Sequence, residues 1–235
     1  YTTLNLVHGE ITPMRYGGNY KSYGPQYPRG IQEGNGVPAD GDLWVSYSVN
    51  KEDMWISRIP VPVEINASAH ADDDFSKNKS IAELTDWNIY SPVWAPVSLE
   101  DQWLKLQDKD PFDYAKVERK IPASKELKVS FDLKAGQNNK GTLQIEFLDE
   151  NGIACSRIEL TDDGIFRLKG GSRFANMMKY EAGKVYHVEA VLSTVDRNIQ
   201  VYVDGKRVGL RMFYAPVAAV ERIVFRTGVP RTFPT

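Results

Sequence analysis

The stretch from Val185 to Val208 constrains the fold most strongly. Apolar side chains recur there at every second position, interrupted by a polar break at residues 193–198. A period of two is typical of a strand with one buried and one solvated face. Asp204-Gly205 then predicts a tight turn, because glycine tolerates the positive φ that such turns require. The sequence therefore predicts two long antiparallel strands at the centre of a β-sandwich, with inward residues Tyr186, Val188, Ala190, Leu192, Ile199, Val201 and Val203.

The same alternation extends over most of the chain. About seven strands are predicted from Leu127 onward, separated by turn signals at intervals of roughly 8 to 15 residues, as in a sandwich. Two shorter strands joined by the turn at residues 50–53 are predicted between Asp42 and Ile59. No segment has a convincing helical period. We therefore expect an all-β protein.

Composition excludes several classes of function. With 29 basic and 31 acidic residues, the chain offers no electrostatic case for nucleic acid or an anionic membrane as a partner. No apolar run reaches the ~18 residues of a membrane span. Cys155 has no cysteine to pair with, so it is predicted to be a small core residue. Three scattered histidines and one cysteine cannot supply a zinc site, so no metal ligands and no cofactor are predicted; structural calcium in the sandwich is left open.

The segment Arg15–Gly36 has no period of either 2 or 3.6. Its 22 residues include six glycines, two prolines and four tyrosines, with charged residues between them. Such composition predicts a long ordered loop carried on a rigid scaffold, which is where binding residues concentrate. A structural alternative is that the loop packs between sheets, with its Tyr and Arg side chains satisfied by backbone carbonyls.

Residues 64–122 differ from the strands on either side. Pro60 and Pro62 cannot donate to a central ladder, so strand pairing is expected to stop there. Trp87, Trp94 and Trp103 then follow in an aromatic and proline-rich stretch without periodicity. We expect a connector whose tryptophans pack at an interdomain seam. The sequence thus divides into residues 1–63, a connector at 64–122, and a sandwich at 123–235.

Two parts of the chain resemble known families. Residues 127–228, with GTLQIEFLDENG, VYHVEAVLSTVDRNIQVYVDGK and ERIVFRTG, resemble a concanavalin A-like or laminin-G-like jelly roll. Residues 1–63, with GPQYPRGIQEGNG and DLWVSYSVNKEDMWISRIPVPV, resemble the closing section of a sialidase-like (BNR-repeat) β-propeller. The combination is similar to bacterial propeller proteins, which implies a secreted, periplasmic or cell-surface location.

The propeller resemblance is incomplete. No Asp-box (S-x-D-x-G-x-x-W) occurs, and the chain holds only about one blade of sequence. One blade cannot bury its own faces. We therefore expect the chain to be the C-terminal part of a larger protein, with the missing N-terminal propeller as its partner.

The resemblance also implies candidate site residues, since propellers of this kind include glycoside hydrolases and lyases that act on acidic sugars. The planar guanidinium of Arg can bind a carboxylate through two parallel N–H donors. Sialidases use a Tyr nucleophile. A Glu can polarise that Tyr or act as a general acid or base. The predicted catalytic residues are Tyr27, Arg29 and Glu33. The predicted substrate-binding residues are Arg15, Lys21 and Tyr20.

Three hypotheses follow. In the first, the chain is part of a secreted carbohydrate-active enzyme, a glycoside hydrolase or polysaccharide lyase acting on an acidic glycan, with the sandwich as an accessory domain. The alternatives are a non-catalytic carbohydrate-binding module and a purely structural sandwich. Convergence of Arg15, Tyr27, Arg29 and Glu33 on one concave pocket favours the enzyme. For a lectin-like role, the candidates on the sandwich are Tyr180, Arg197, Tyr202 and Arg211.

Overall fold

The protein is described by a computed structural model that covers residues 14–18, 21, 25–31, 41–59, 67, 71–91, 94–109 and 114–228. Within these ranges the fold is all-β, as predicted, with one short 3-10 turn at Ile81–Glu83. The strands form a three-stranded sheet, a seven-stranded sheet, a four-stranded sheet and a two-stranded hairpin. No helix among the described residues is long and apolar enough to cross a membrane.

The N-terminal sheet contains β1 (Pro25–Ile31), β2 (Leu43–Val49) and β3 (Asp53–Ile59), in that order and antiparallel. The predicted hairpin between residues 42 and 59 is confirmed, with β2 paired to β3 along its full length. The prediction of a loop through residues 25–31 was wrong, because this segment is β1. Most of β1 is solvent-exposed on both faces, so its sequence carries no period of two.

The sandwich consists of two antiparallel sheets with a shared core. The seven-stranded sheet has the order β12-β11-β10-β9-β16-β7-β4, and the four-stranded sheet has the order β15-β14-β13-β8. The bounds of the first are Arg173–Lys179, Ile165–Gly170, Ala154–Leu160, Leu143–Leu148, Val220–Thr227, Lys116–Ser124 and Trp87–Tyr90. The bounds of the second are Lys206–Met212, Asn198–Val203, Val185–Ser193 and Glu126–Lys134.

The predicted central hairpin forms as expected. β13 pairs with β14 on one side and with β8 on the other. The inward residues predicted on β13 and β14 are all buried, and they meet the seven-stranded sheet at Ile145, Phe147, Ile158 and Leu168. Period-two alternation is strong here because each strand has the core on one side only.

A second, smaller cluster covers the β4–β7 edge of the seven-stranded sheet. Trp87, Ile89 and Val117 pack there with the hairpin formed by β5 (Val97–Glu100) and β6 (Trp103–Leu106). The sandwich sheet therefore takes strands from residues that the sequence assigned to the connector, and the predicted boundary at 122–123 falls inside β7. Of the three connector tryptophans, Trp87 is buried and Trp94 is exposed.

Candidate functional site

Two of the predicted substrate-binding cations converge on the turn between β2 and β3. The Glu52 carboxylate, only 2% exposed, lies 3.0 Å from the Nζ of Lys21. It also accepts hydrogen bonds from the backbone N–H of Arg15 at 2.9 Å and of Tyr16 at 2.7 Å. The Arg15 guanidinium reaches Asp53, with Nη2 2.5 Å from Oδ1. Both cations are therefore neutralised by acidic groups of the chain itself.

The electrostatics of this cluster follow from its hydrogen bonds. Desolvation opposes ionisation of Glu52, but hydrogen bonds from Arg15, Tyr16 and Lys21 outweigh it and lower its pKa to about 2. The pKa of Arg15 is raised by the hydrogen bond to Asp53 and by the charge of Asp53. The hydrogen bond to Glu52 raises it further. Each charge stabilises the other, so the cluster ties Arg15, Tyr16 and Lys21 to the β2–β3 turn.

The other predicted site residues are only partly described. Tyr27 is 63% exposed, lies at a bulge with φ of 54°, and has the Nζ of Lys51 5.6 Å from its ring centroid. Arg29 is exposed on β1. Tyr20 and Glu33 lie outside the described residues. The predicted pocket is therefore not described as a whole, and the catalytic and substrate-binding roles stay predictions.

A second candidate site lies on the sandwich, on the side of the seven-stranded sheet opposite the core. Alternate residues of its strands meet across the sheet in register, such as Glu146 with Arg157 and Glu159 with Arg167. We call this surface the polar face. Its charged and amide residues are Asn88, Lys116, Glu118, Lys120, Gln144, Glu146, Arg157, Glu159, Arg167, Lys169, Asn176, Arg222 and Arg226.

Seven cations lie on the polar face against three carboxylates of the face and a fourth, that of Glu221, which binds Lys120 at 2.6 Å, although the whole chain carries a formal net charge of −2. Positive charge is thus concentrated on this surface. A surface of that kind attracts anionic ligands over distances up to about a Debye length.

The carboxylates of the polar face lie deeper than the cations they hold. Arg157 donates from Nε to Oε1 of Glu146 at 2.7 Å, and Arg167 donates from Nη2 to Oε1 of Glu159. The Glu159 side chain is 4% exposed, whereas that of Arg167 is 35% exposed. Each carboxylate therefore fixes a guanidinium from beneath, while part of the guanidinium remains accessible to a ligand.

Aromatic rings flank the charged residues. The Arg167 guanidinium lies 4.2 Å from the ring centroid of Phe174, and the Lys169 ammonium lies 5.1 Å from the same ring. Lys169 also lies 5.8 Å from the ring of Tyr214. Burial raises the pKa of Tyr214 to about 12, with Arg157 opposing and Glu146 adding to that effect. The phenol stays protonated at neutral pH and can donate a hydrogen bond.

Gln144 lies in the middle of the polar face and is fully buried. Among the residues that the structure describes, neither its amide oxygen nor its amide nitrogen has a hydrogen-bond partner. Buried polar atoms in folded proteins are nearly always paired, so this amide has unused hydrogen-bonding capacity.

No group of three or more metal-ligating side chains occurs within the described ranges.

Comparison with known proteins shows the family to which this chain belongs. The family model described as "Sialidase-like, CBM domain" matches residues 87–235. The chain belongs to this family. A solved structure described as "Sialidase" is 91% identical over 100% of this chain, with a TM-score of 0.78. The chain covers 22% of that sialidase, so it spans about a fifth of its length. A search among curated proteins finds no match.

Other solved structures are similar to parts of the chain at low identity. Sheep galectin-11 in complex with glycerol is 17% identical, covering 47% of this chain and 88% of the galectin, with a TM-score of 0.38. The carbohydrate recognition domain of Emp47p is 11% identical, covering 66% of this chain and 83% of that domain, with a TM-score of 0.43. The chain combines a small three-stranded sheet with an antiparallel β-sandwich of seven and four strands. The predicted resemblance to sialidase-like proteins with a jelly roll is confirmed.

Sequence reasoning missed the polar face of this CBM domain. The signal was present, because the outward positions of β9, β10 and β11, apart from Leu148 and Ile165, are Gln, Glu or basic residues at a period of two. The four candidates named for a lectin-like role lie elsewhere. Tyr180 is buried and donates to the carbonyl of Thr161, while Tyr202 and Arg211 belong to strands of the four-stranded sheet. Arg197 lies in the turn between β13 and β14.

Proposed function

We propose that this chain is a carbohydrate-binding module of a larger sialidase, and that its polar face holds the glycan. The membership in the "Sialidase-like, CBM domain" family supports carbohydrate binding. The match to only 22% of a sialidase supports a module within a longer protein. The single observation that carries the choice of surface is Arg167, whose side chain is 35% exposed, is held from beneath by Glu159 and lies 4.2 Å from the ring centroid of Phe174.

The chemistry of the polar face fits a sugar. A sugar hydroxyl both donates and accepts hydrogen bonds. Amide side chains also do both, and a guanidinium–carboxylate pair supplies donors from one partner and acceptors from the other. Phe174 offers a flat apolar ring beside Arg167 and Lys169, suitable for the C–H face of a pyranose. The excess of cations favours a glycan that carries acidic groups.

Catalysis is better placed in the longer protein than in this chain. Arg15 and Lys21 were predicted to hold a substrate carboxylate, but their charges are already matched by Glu52 and Asp53. A carboxylate would have to displace these internal partners. We therefore propose that the sialidase activity resides outside the 235 residues, and that the module supplies affinity for the glycan.

The three-stranded sheet is proposed to pack against that longer protein, as the sequence predicted for a propeller segment. β3 is an edge strand on which Met54 is 74% exposed, Trp55 41% and Ile56 62%. An exposed apolar edge strand invites pairing and association unless it is covered. A secreted, periplasmic or cell-surface location is proposed with it, since a module for glycans acts where glycans are displayed.

Calorimetric titration tests the proposed function. The 235-residue chain is titrated with sialyllactose, an oligouronate and lactose, and binding of an acidic ligand is expected to exceed that of lactose. Phe174→Ala and Lys169→Gln should each weaken binding by about tenfold, as for a lost stacking or charge-assisted contact. Arg207→Gln, an exposed cation on β15, is the matched control.

Unfolding midpoints of all three variants show whether the fold is kept. Equal affinities in the wild type, Phe174→Ala and Lys169→Gln overturn the assignment of the polar face. Absence of binding to every glycan, at concentrations up to tens of millimolar, overturns the module itself.

A further inference from the structure

We infer that the sandwich has a second binding site, at one end of its strands, for a sugar that carries an anionic group. An open depression of about 470 Å³ lies there, within the size range of small-molecule sites. It is formed by the connection between β7 and β8, the turn between β13 and β14, and the segment between β15 and β16. Its lining residues are Lys125, Thr194, Val195, Arg197, Pro216, Val217 and Ala218.

This depression is separate from the polar face. It lies where strands end, whereas the polar face occupies the middle of β9, β10 and β11. The inference therefore goes beyond the proposed function and does not depend on the polar face binding a glycan.

Backbone and side-chain hydrogen bonds hold the three segments together. The N–H of Thr194 donates to the carbonyl of Lys125 at 2.8 Å, and its Oγ1 donates to the carbonyl of Ala218 at 3.1 Å. The carbonyl of Arg197 accepts from the N–H of Phe213 at 2.7 Å. Because the three connections are tied to one another, the depression is formed before any ligand arrives, which lowers the entropic cost of binding.

The charged groups of the depression are both cationic. Among the described residues, neither the Lys125 ammonium nor the Arg197 guanidinium makes an ion pair or a hydrogen bond. Neither acidic neighbour in sequence pairs with them among the described residues: Glu126 accepts from the hydroxyl of Ser193 at 2.7 Å, and Asp196 makes no ion pair. Two unmatched cations at one opening favour an anion.

The remaining wall is apolar. Val195 is 71% exposed, and Pro216 and Val217 lie across from it. An apolar wall beside two cations suits a pyranose ring, whose C–H face packs on the aliphatic side chains while its carboxylate or sulfate meets the cations. A neutral sugar would leave both cations without a partner, so discrimination against neutral sugars is expected.

Backbone-amide NMR of the 235-residue chain tests the site. The probes are glucuronic acid, galactose 6-sulfate and galactose, which separate a carboxylate from a sulfate and both from a neutral ring. Shifts are expected at residues 194–197 and 216–218 with one or both anionic sugars, and these shifts should shrink as NaCl is raised. Shifts confined to the polar face, equal shifts with galactose, or no shifts at tens of millimolar overturn the inference.

Two substitutions test whether Lys125 and Arg197 contact the anionic group of the sugar. Lys125→Gln and Arg197→Asn should each weaken binding of the anionic sugar by about fivefold, which is the upper end for the loss of one solvent-accessible charge pair. Asn is chosen because Arg197 has a φ of 53°, a conformation that Asn tolerates. Lys206→Gln, at the first residue of β15 and beyond the far end of β14, is the control that should leave the affinity read from shifts at residues 194–197 unchanged. Equal weakening in this control contradicts the placement.

Discussion

The Nζ of Lys21 and the Oε1 of Glu52 lie 3.0 Å apart, joining the segment before β1 to the turn between β2 and β3. The same carboxylate accepts from the backbone of Arg15 and Tyr16. Glu52→Gln should therefore release residues 14–16, because an amide nitrogen in place of Oε2 cannot accept from the backbone N–H and Nε of Arg15. Hydrogen exchange of this segment should quicken, while exchange in β13 stays unchanged. Asp53→Asn, which removes only the more exposed contact of Arg15, is the matched control with a smaller effect.

The pH dependence of this cluster has a defined sign. The pKa of Glu52 is about 2 in the folded chain, below its ordinary value of 4.5. A lowered pKa contributes stability that is complete above 4.5 and is lost as the pH falls through about 2. The amide proton shifts of Arg15 and Tyr16 should report this titration with a midpoint near 2. A midpoint near 4.5 would mean that the carboxylate is solvated rather than held by these donors.

The sequence predicted those strands that have one face in water and one in the core. β13 and β14 satisfy this condition, so their alternation identified both the strands and their inward residues. β1 is exposed on both faces and gave no alternation to detect. In β7 three consecutive residues, Val117, Glu118 and Arg119, are buried, because Arg119 is enclosed by Asp73, Asp86 and Trp87 beneath the sheet edge.

The candidate sites were predictable only in part, for a different reason. The sequence indicated that Arg15 and Lys21 act on a carboxylate, and the structure places them on one. That carboxylate belongs to Glu52, at separations of 37 and 31 residues, and only tertiary pairing brings it there. The polar face likewise depends on cross-strand register, which sets Arg167 beside Glu159 and not beside another cation. Residue types indicated charge chemistry, but not which charges are already paired.

Gln144 provides a test of how buried polar groups affect this sheet. Its amide is fully buried without partners in the described residues, and such a group costs about 1–3 kcal/mol. Gln144→Met keeps the side-chain length and removes the polar atoms, so we expect unfolding free energy to rise by about 1 kcal/mol. Denaturant titration measures the change.

The matched control for that variant is Gln200→Met on β14. There the amide oxygen accepts from the Tyr202 hydroxyl at 3.0 Å, so the substitution should be neutral or slightly destabilising. If Gln144→Met instead loses more than about 1 kcal/mol, the amide is satisfied in solution and the unused capacity assigned to it is wrong.

Gly170 should resist any side chain. A Cβ at this position would lie 2.4 Å from the Cβ of Arg211 and 2.9 Å from the carbonyl oxygen of Met212, where β11 approaches β15. Because backbone atoms must move to admit it, Gly170→Ala should destabilise the sandwich by about 1–3 kcal/mol. Gly136→Ala is the control, since a Cβ there meets nothing within 4 Å, and a change within about 0.5 kcal/mol is expected. Equal unfolding midpoints for the two variants would contradict the close approach of the sheets.

Cys155 should be chemically inert in the folded protein. The side chain is fully buried in the sandwich core, and burial raises the pKa of its thiol to about 12 from an ordinary value of 9.0. Since the thiolate is the reactive species, a disulfide reagent at pH 8 should react with the native chain only as fast as the chain unfolds. The same reagent in denaturant should titrate one thiol at once, which is the control.

Because the pKa of the Cys155 thiol is raised, ionising this thiol opposes folding, so stability should fall as the pH climbs above 9.0. Cys155→Ala should abolish that part of the alkaline loss, and an unchanged pH profile in this variant would assign the loss to other groups.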